Sequence, residues 1–457
     1  MSQEAIADLF RIIDRLDEQG RLIRVRSEVD PILELAAVAA RLEGRSAAVL
    51  FEKVKGSDVP VFTGLYWSRA LLAGLLGQPE RDLPAYVSGR IARWQKDPSA
   101  PVVRDTGPVL EVTQKTVDLR RLPIPTHAVR DAGPYVDAGV VIASDPETGV
   151  RNASIQRFLV VGPDELAINI DAGRHLEVYL DKAHRQGQPL DFTLNIGVGP
   201  GVHFAAAAPA EAAPIDTDEL GIASEFHGAP LELVPGRVGG AEMLARAMFA
   251  LECRIMPGEV IEEGPFAEVT GYYAKVDKRP LVRVRAVHHR ASPVYHTILS
   301  GQEVWNSVGL LGEANVLALL QRQVPGVRDV FFSHGGCGFY HAVVAMRPQR
   351  IGWSKQAIMA AFAAFPPLKM VTVVDDDVDI RSPRDVEWAM TNRLDAQTGI
   401  VRIEKCFGHG LNPSFPDYLG TKVGFDCTRP VPYAPADDRT AYRDVRLEDY
   451  EIVMPAG

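Results

Sequence analysis

Residues 263–273 read EGPFAEVTGYY, which places Glu263 and Glu268 five residues apart on the two sides of a Gly-Pro pair. Proline lacks a backbone N–H and glycine lacks a side chain, so Gly264-Pro265 cannot continue a helix or a central strand. The chain must therefore turn between the two glutamates. Such a turn can bring together two side chains that strand alternation would send to opposite faces.

Two neighbouring carboxylates have a chemical use. If one of them is stripped of water or crowded by the other, it keeps its proton near neutral pH. A protonated acid in a pocket can deliver that proton to a carbon atom. The alternative is a surface loop in which both glutamates face solvent, and the spacing alone leaves this alternative open.

The segment around this turn, from about Val109 to Ala291, consists of short β-type runs separated by turn residues. The predicted strands are Ile155–Val161, Leu166–Ile170, Leu190–Ile196 and Leu281–Val287. Their spacing predicts an antiparallel sheet that closes into a barrel. Patterns typical of helices interrupt the barrel at His175–Gln186 and Ala241–Leu251.

Both flanks of the predicted barrel have α/β character. The amino-terminal elements are a helix at residues 5–18, a strand at Arg21–Arg26, a helix at Ile32–Leu42 and a strand at Ala47–Phe51, followed by a linker at Gln95–Pro108. The carboxyl-terminal elements are helices at Glu313–Gln323 and Ser354–Ala364 and strands at Asp329–Phe332 and Met370–Val374. The predicted domains are therefore residues 1–108, 109–307 and 308–457.

The composition is that of an ordinary globular protein, with 46% hydrophobic and 24% charged residues among 457. The net charge of −10 and the lack of a basic run argue against a nucleic-acid-binding protein. The longest apolar runs are too short to span a membrane. The sequence begins without a signal-peptide pattern and its four cysteines form no CxxC pair, so we expect a cytoplasmic protein with reduced thiols.

Four polar residues in the β-rich segment are candidates for binding. Arg157 suits a substrate carboxylate through its planar fork of donors, although a surface salt bridge is the alternative. Asn152, His175 and Glu225 offer oxygen and nitrogen donors suited to Mn²⁺ or Mg²⁺. His175 also begins a predicted helix, where free N–H groups favour a phosphate. Because the three residues are separated by 23 and 50 positions, their spacing is not a local metal motif.

The order of these pieces resembles the UbiD family of (de)carboxylases, from the first helix to about Pro430. The motifs that carry the resemblance are, in order, Asn152 with Arg157, Arg174-His175, Ser224-Glu225, the stretch Glu263–Tyr273, Val294-Tyr295-His296, Asp375-Asp376-Asp377-Val378, Trp388–Arg393 and Leu419–Gly424. Each motif alone is weak. So many matches in one order are a strong signal.

The resemblance implies a fold of the α/β and β class. A central split β-barrel would bind the flavin, flanked by an N-terminal α/β domain and a C-terminal α/β oligomerisation domain. It also implies prenylated FMN as the cofactor, with Mn²⁺ (or Mg²⁺) and K⁺ at its phosphate. By position, the metal ligands would be Asn152, His175 and Glu225. The cofactor would contact Asn152, Ile155, Gln156, Arg157, Asn169, Ile170, Asp171, Arg174, His175 and Glu225.

The resemblance further implies a catalytic set of Arg157, Glu263 and Glu268. The reaction would be the reversible, non-oxidative decarboxylation of an aromatic, heteroaromatic or α,β-unsaturated acid through a covalent prenylated-FMN adduct. Arg157 and Glu263 would orient the carboxylate, and Glu268 would protonate the carbon after CO₂ leaves.

The substrate pocket is the part that the resemblance specifies least. The residues expected to border it are Val269, His296, Met390 and Thr391. Ser154 and Gln156 stand where Gly and Tyr are frequent in the family, which bears on how the substrate lies beside Arg157.

The expected partners are a small carboxylic acid, CO₂ and a flavin prenyltransferase that supplies the cofactor, with assembly into a homodimer or homohexamer. Two alternatives remain: a flavin carrier or reductase without carboxy-lyase activity, and an assembly subunit with degenerate sites. Arg157, Glu263 and Glu268 discriminate among them, because a carrier has no use for the set and a degenerate subunit would have lost it.

Overall fold

The computed structural model describes residues 6–171, 173–209, 212–440, 442–443 and 445–452. Its amino-terminal unit is α/β, as predicted. The elements are α1 (Leu9–Glu18), β1 (Leu22–Val29), α2 (Glu34–Leu42), β2 (Ala48–Val54), β3 (Val61–Thr63), α3 (Arg69–Leu76) and α4 (Leu83–Lys96). Helix α1 begins where the Asp8 carboxylate accepts the Phe10 N–H at 3.0 Å, and it buries one apolar face against the sheet.

The central unit is built mainly from strands. Its strands are β4 (Val102–Val103), β5 (Val112–Gln114), β6 (Tyr135–Val136), β7 (Val140–Ser144), β8 (Arg151–Ile155), β9 (Phe158–Val160), β10 (Glu165–Ile168), β11 (Leu190–Ile196), β12 (Glu232–Pro235), β13 (Glu242–Leu244), β14 (Phe249–Glu263), β15 (Asp277–His289) and β16 (Tyr295–His296). Its helices are α5 (His175–Arg185), α6 (Pro200–Ala206) and α7 (Leu220–His227). Strand β16 leaves this unit and pairs with β3, so that it completes the amino-terminal sheet β1-β2-β3-β16.

The largest sheet has the strand order β6-β9-β10-β15-β14-β11-β7-β8, with β5 paired to β15. Strands β8 and β9 are consecutive in the chain, yet they lie near opposite ends of this order. Gln156 and Arg157 alone connect them, and such a link spans at most about 11 Å. The sheet must therefore curl until its two ends nearly meet. This is the predicted split barrel, and Arg157 lies at its opening.

Two predicted elements were wrong. Ala241–Leu251 is not a helix, because β13 and the start of β14 occupy it and pair with β12 and β11. Its apolar residues are buried on both faces, and such a run has no periodicity that separates a strand from a helix. The predicted strand Ile155–Val161 is interrupted at Gln156 and Arg157, which frees Arg157 from strand alternation.

The carboxyl-terminal unit is a second α/β layer. Its elements are α8 (Gln302–Gln323), β17 (Val327–Phe332), β18 (His341–Met346), α9 (Trp353–Ala364), β19 (Met370–Asp375), α10 (Pro383–Arg393), β20 (Ile400–Phe407) and β21 (Leu419–Cys427). The sheet order is β17-β18-β19-β21-β20, with a parallel centre and antiparallel edges. Within the described ranges, no helix combines the length and the apolar character needed to cross a lipid bilayer.

Helix α8 connects the amino-terminal and carboxyl-terminal units. Near its start, Glu303 accepts hydrogen bonds from the Thr63 hydroxyl and the Gly64 N–H, each at 3.0 Å. At its middle, the buried Glu313 binds the Arg69 guanidinium at 2.6 and 2.8 Å and accepts the Phe332 N–H at 2.9 Å. The predicted domain boundary between residues 307 and 308 falls inside this helix.

Candidate active site

Arg157 lies between the two glutamates of the Gly-Pro turn. Its Nε donates to Glu263 Oε1 at 3.0 Å and its Nη2 donates to Glu263 Oε2 at 3.1 Å, which is a bidentate pair. Its Nη1 donates to Glu268 Oε1. One guanidinium therefore holds both carboxylates, and the turn brings together the three residues named from the sequence.

The cluster is removed from solvent. The Glu263 side chain is 1% exposed, that of Glu268 11% and that of Arg157 13%. This excludes the alternative in which both glutamates simply face water. The Phe266 ring covers the guanidinium at 5.1 Å. A low-dielectric environment of this kind strengthens every charge interaction inside it.

Tyr135 fixes Glu263 from the other side. Its hydroxyl donates to Glu263 Oε1 at 3.1 Å. Burial and the negative charge of Glu263 raise the pKa of the Tyr135 phenol well above its usual value, so the hydroxyl keeps its proton and remains a donor. Glu263 thus has hydrogen-bond partners on both carboxylate oxygens, whereas Glu268 has fewer hydrogen bonds.

The turn itself follows from its sequence. Gly264 has φ of +92°, and a Cβ there would lie 2.8 Å from the Lys275 carbonyl oxygen, so a side chain is excluded twice over. After the turn, the Glu268 N–H donates to Tyr272 O and the Ala274 N–H donates to Phe266 O, each at 2.8 Å. These bonds make residues 266–274 a tight hairpin that carries Glu268 at its tip.

A second polar cluster contains Asn152 and His175. Asn152 Nδ2 lies 3.5 Å from His175 Nδ1, and the carboxylate beside them is Glu219. Glu219 Oε1 accepts from Asn152 Nδ2 at 2.5 Å and from the Ala153 N–H at 2.6 Å, and its Oε2 lies 3.8 Å from His175 Nδ1. Burial raises the pKa of Glu219. Asn152 Oδ1 is buried without a partner.

The structure corrects the expectation that Glu225 joins this cluster. Its carboxylate lies 3.8 Å from Arg93 Nε, and its carbonyl accepts from Arg90 at 3.0 Å. Glu219 is the N-cap of α7, whereas Glu225 lies within that helix. Six residues rotate a helix position by about 240°, so the two side chains leave in different directions. The sequence signal that could have identified Glu219 is its position as the acidic residue just before α7 begins.

The segments expected to wrap the cofactor adjoin Arg157. The Asn169 N–H donates to the Arg157 carbonyl at 3.3 Å, which places residues 155–157 beside the end of β10. Ile170 is buried, Ile155 and Gln156 are half-buried, and Asp171 and Arg174 are exposed. His175 is the first residue of α5, as its position after a strand predicted, so that helix start has free N–H groups for an anion.

The residues expected to border the substrate pocket lie in two units. Val269 is 8% exposed on the hairpin, and His296 is fully buried on β16 with both ring nitrogens unpartnered. Met390 and Thr391 lie on α10 of the carboxyl-terminal unit. Met390 packs against the apolar cluster of that unit, and Thr391 is exposed, with its hydroxyl donating to the Glu387 carbonyl of its own helix.

Comparison with known proteins supports one family. Residues 13–91, 101–303 and 306–427 match, respectively, the N-terminal, Rift-related and C-terminal domains of UbiD, 3-octaprenyl-4-hydroxybenzoate carboxy-lyase. The chain is 70% identical over 452 residues to an uncharacterized protein in the cooM 5' region of Rhodospirillum rubrum, covering 99% of this chain and 98% of that one. It is 36% identical over 422 residues to anhydromevalonate phosphate decarboxylase of Methanothermobacter thermautotrophicus, covering 92% and 96%.

Solved structures agree with these matches. The UbiD-class enzyme HmfF from Pelotomaculum thermopropionicum in complex with FMN has a TM-score of 0.91 at 38% identity, covering 97% of this chain and 100% of that one. An evolved dimeric form of HmfF in complex with prFMN has a TM-score of 0.88 at 37% identity, with the same coverage of 97% and 100%. With all three domains matched and the split barrel in place, the chain belongs to the UbiD family of carboxy-lyases.

Proposed function

We propose that this chain catalyses the reversible, non-oxidative decarboxylation of an aromatic, heteroaromatic or α,β-unsaturated carboxylic acid with prenylated FMN. The observation that carries the proposal is Arg157 at the barrel opening, bound at once by Glu263 and Glu268. A flavin carrier has no use for this desolvated cluster. HmfF, which was solved with FMN and with prFMN, supports the choice of cofactor.

The role of Arg157 follows from counting charges. The cluster holds one cation and two carboxylates, and an incoming substrate carboxylate adds a third anion to a site from which water is excluded. Glu263 is held by two bonds from Arg157 and one from Tyr135, so it keeps the guanidinium in place. Glu268, which has fewer bonds, is the partner that the substrate carboxylate displaces.

Glu268 is the proton donor in this proposal. A proton on Glu268 removes one negative charge as the substrate carboxylate binds, and it is then available for the carbon that loses CO₂. The side chain lies at the tip of a tight hairpin, within reach of Arg157, so donor and carboxylate clamp are held side by side.

The cofactor would supply the sink for the electron pair of the breaking C–C bond, which a planar acid cannot delocalise by itself. The residues present fit its phosphate and a hard divalent cation. Asn152, His175 and Glu219 form an O, N, O donor set, and Asn152 Oδ1 is buried without a partner. We therefore assign Mn²⁺ (or Mg²⁺) to Asn152, His175 and Glu219, with K⁺ nearby and the phosphate at the start of α5.

The remaining parts of the proposal concern the setting of the enzyme. A flavin prenyltransferase supplies the cofactor, and the protein works in the cytoplasm as a homodimer or homohexamer. Exposed apolar residues where β20 ends and β21 begins support subunit contact through the carboxyl-terminal unit; they are Phe407, Tyr418 and Leu419.

The test uses protein co-expressed with a flavin prenyltransferase. The wild type should release CO₂ from members of a panel of aromatic, heteroaromatic and acrylic acids, and it should exchange deuterium into the product C–H. Glu268→Gln should keep its bound flavin, measured by absorption, but lose turnover by more than about 100-fold, because the amide cannot transfer the proton.

The matched control is Glu262→Gln. Glu262 is exposed at the end of β14, next to Glu263, and its variant should turn over at the wild-type rate. Full activity in Glu268→Gln would remove the proposed proton donor. A flavin-free, colourless wild type that exchanges no deuterium would overturn the proposed function as a whole.

A further inference from the structure

The hairpin that carries Glu268 is held from outside by residues 128–132. The Ala132 N–H donates to Pro265 O at 2.9 Å, and the Arg130 guanidinium covers the Tyr273 ring at 5.0 Å. The central contact is made by the Asp131 carboxylate. Its Oδ1 accepts the Ala267 N–H at 2.8 Å and its Oδ2 accepts the Ala128 N–H at 2.9 Å.

Ala267 is the residue directly before Glu268, and its amide faces away from the hairpin. Inside the hairpin, the amides of Glu268 and Ala274 have carbonyl acceptors at Tyr272 and Phe266. The amide of Ala267 is bonded instead to Asp131, 136 positions earlier in the chain. Ala267 is half-buried, so an amide that loses its acceptor there costs free energy, and the hairpin position that satisfies it is favoured.

We propose that Asp131 is a positioning residue that sets the place of Glu268 beside Arg157. The inference rests on the proposed function, in which Glu268 donates the proton. Asp131 acts through one backbone step: its carboxylate fixes the amide of Ala267, and the next side chain points to the guanidinium. Because a displacement of about 1 Å can slow a reaction by about 100-fold, the strength of this bond governs the rate of proton transfer.

The experiment compares Asp131→Ala and Asp131→Asn with wild type in the flavin-loaded enzyme. Asn keeps one acceptor oxygen but presents N–H to the second amide, whereas Ala keeps neither acceptor. Deuterium exchange at the product C–H should fall about 10- to 100-fold in Asp131→Ala and by a smaller factor in Asp131→Asn. The bound flavin fraction should be unchanged, and KM should change by less than about threefold, because neither contact involves the cofactor or the clamp.

A second readout does not depend on activity. Amide hydrogen exchange of the peptide around residues 265–274, followed by mass spectrometry, should be about tenfold faster in Asp131→Ala. The matched control is Asp118→Ala, which also removes a carboxylate that accepts a backbone N–H, that of Arg120 at 3.3 Å. It should leave both readouts at wild-type values.

The inference holds if product exchange slows and the peptide loses protection together. It is overturned if either readout stays at the wild-type value in Asp131→Ala, or if Asp118→Ala reproduces both effects. A wild-type enzyme that performs no product exchange contradicts the proposed function instead, and peptide protection then still decides whether Asp131 holds the hairpin.

Discussion

Glu219 and Glu225 are separated by six residues, and they offer the sharpest test of the metal assignment. Glu219→Gln should lower the manganese content of the purified protein by about tenfold or more, because it removes a charged donor from the set with Asn152 and His175. Glu225→Gln is the matched control and should keep the wild-type content, since that carboxylate lies by Arg93. Metal analysis of both variants decides, and the reverse pattern would restore Glu225 as the ligand.

Two pairs of glutamates, Glu263 with Glu268 and Glu219 with Glu225, indicate how far the positions of single side chains can be predicted from the sequence. The Gly-Pro pair predicted a turn that can bring Glu263 and Glu268 together, because a turn is a local property of the chain. Which glutamate of a helix faces a residue 67 positions away depends on where the helix begins and how it packs. Asp131 escaped notice for a related reason, since its partner is a backbone amide that carries no sequence signal.

Strand β14 carries a buried acid far from the proposed chemistry. Glu252 is 1% exposed and accepts the N–H groups of Arg237, Val238 and Gly239 as well as a bond from His288 at 2.8 Å. Burial by itself would raise its pKa, but the His288 bond and the three amides outweigh burial and lower the pKa to about 2 from the usual 4.5. This carboxylate therefore stabilises the fold above about pH 4.5, and its contribution is lost as the pH falls towards 2.

Glu252→Gln should accordingly lower the free energy of unfolding at pH 7 by about 3 kcal/mol. The difference in unfolding free energy between the variant and wild type should shrink as the pH falls from about 4.5 towards 2, because the Glu252 carboxylate of wild type then becomes protonated and uncharged. Urea unfolding at several pH values measures the effect. The control is Glu259→Gln on the same strand, whose pairing with Arg283 is exposed and contributes less than about 1 kcal/mol. Equal losses in the two variants would contradict the assignment.

Helices and strands were predictable where their apolar residues recur at a regular period or where turn residues flank the segment. The amphipathic α1 and the strand β11 lie where the sequence predicts them. Ala241–Leu251 failed because pairing with β11 and β12 decides the conformation of an apolar run that periodicity cannot assign. The break between β8 and β9 at Gln156 and Arg157 is also a non-local feature. It exists because the chain passes there from one end of the curled sheet to the other.

Assembly is a property of the whole molecule. Phe407 and Tyr418 stack with ring centroids 5.9 Å apart while remaining 62% and 46% exposed. If this patch joins subunits, Phe407→Ser should lower the mass measured by light scattering towards that of the monomer, because it removes apolar area from the contact. Val129→Ser, which changes an isolated apolar residue that is 84% exposed, is the control. An unchanged mass in Phe407→Ser would show that the subunits make contact through another surface.

The order α/β, barrel, α/β was predictable because turn spacing and alternation differ between the three segments, and the resemblance implied that the barrel is split; the structure confirms both. The way in which the units are joined was not predictable. The sequence predicts only the second half of the connecting helix, Glu313–Gln323, and the partners of this helix, Thr63 and Arg69, are about 240 residues distant.

That helix has an evolutionary consequence. Its first half packs in the core shared with the amino-terminal segments, and its last turns pack in the core of the carboxyl-terminal sheet. It is one rod of about 33 Å. A recombination event within the helix would separate Arg69 from its counter-ion Glu313 or would remove the helix turns that pack against the carboxyl-terminal sheet. We therefore expect chimeras that join segments of two proteins within this helix to be insoluble, because neither core would be complete.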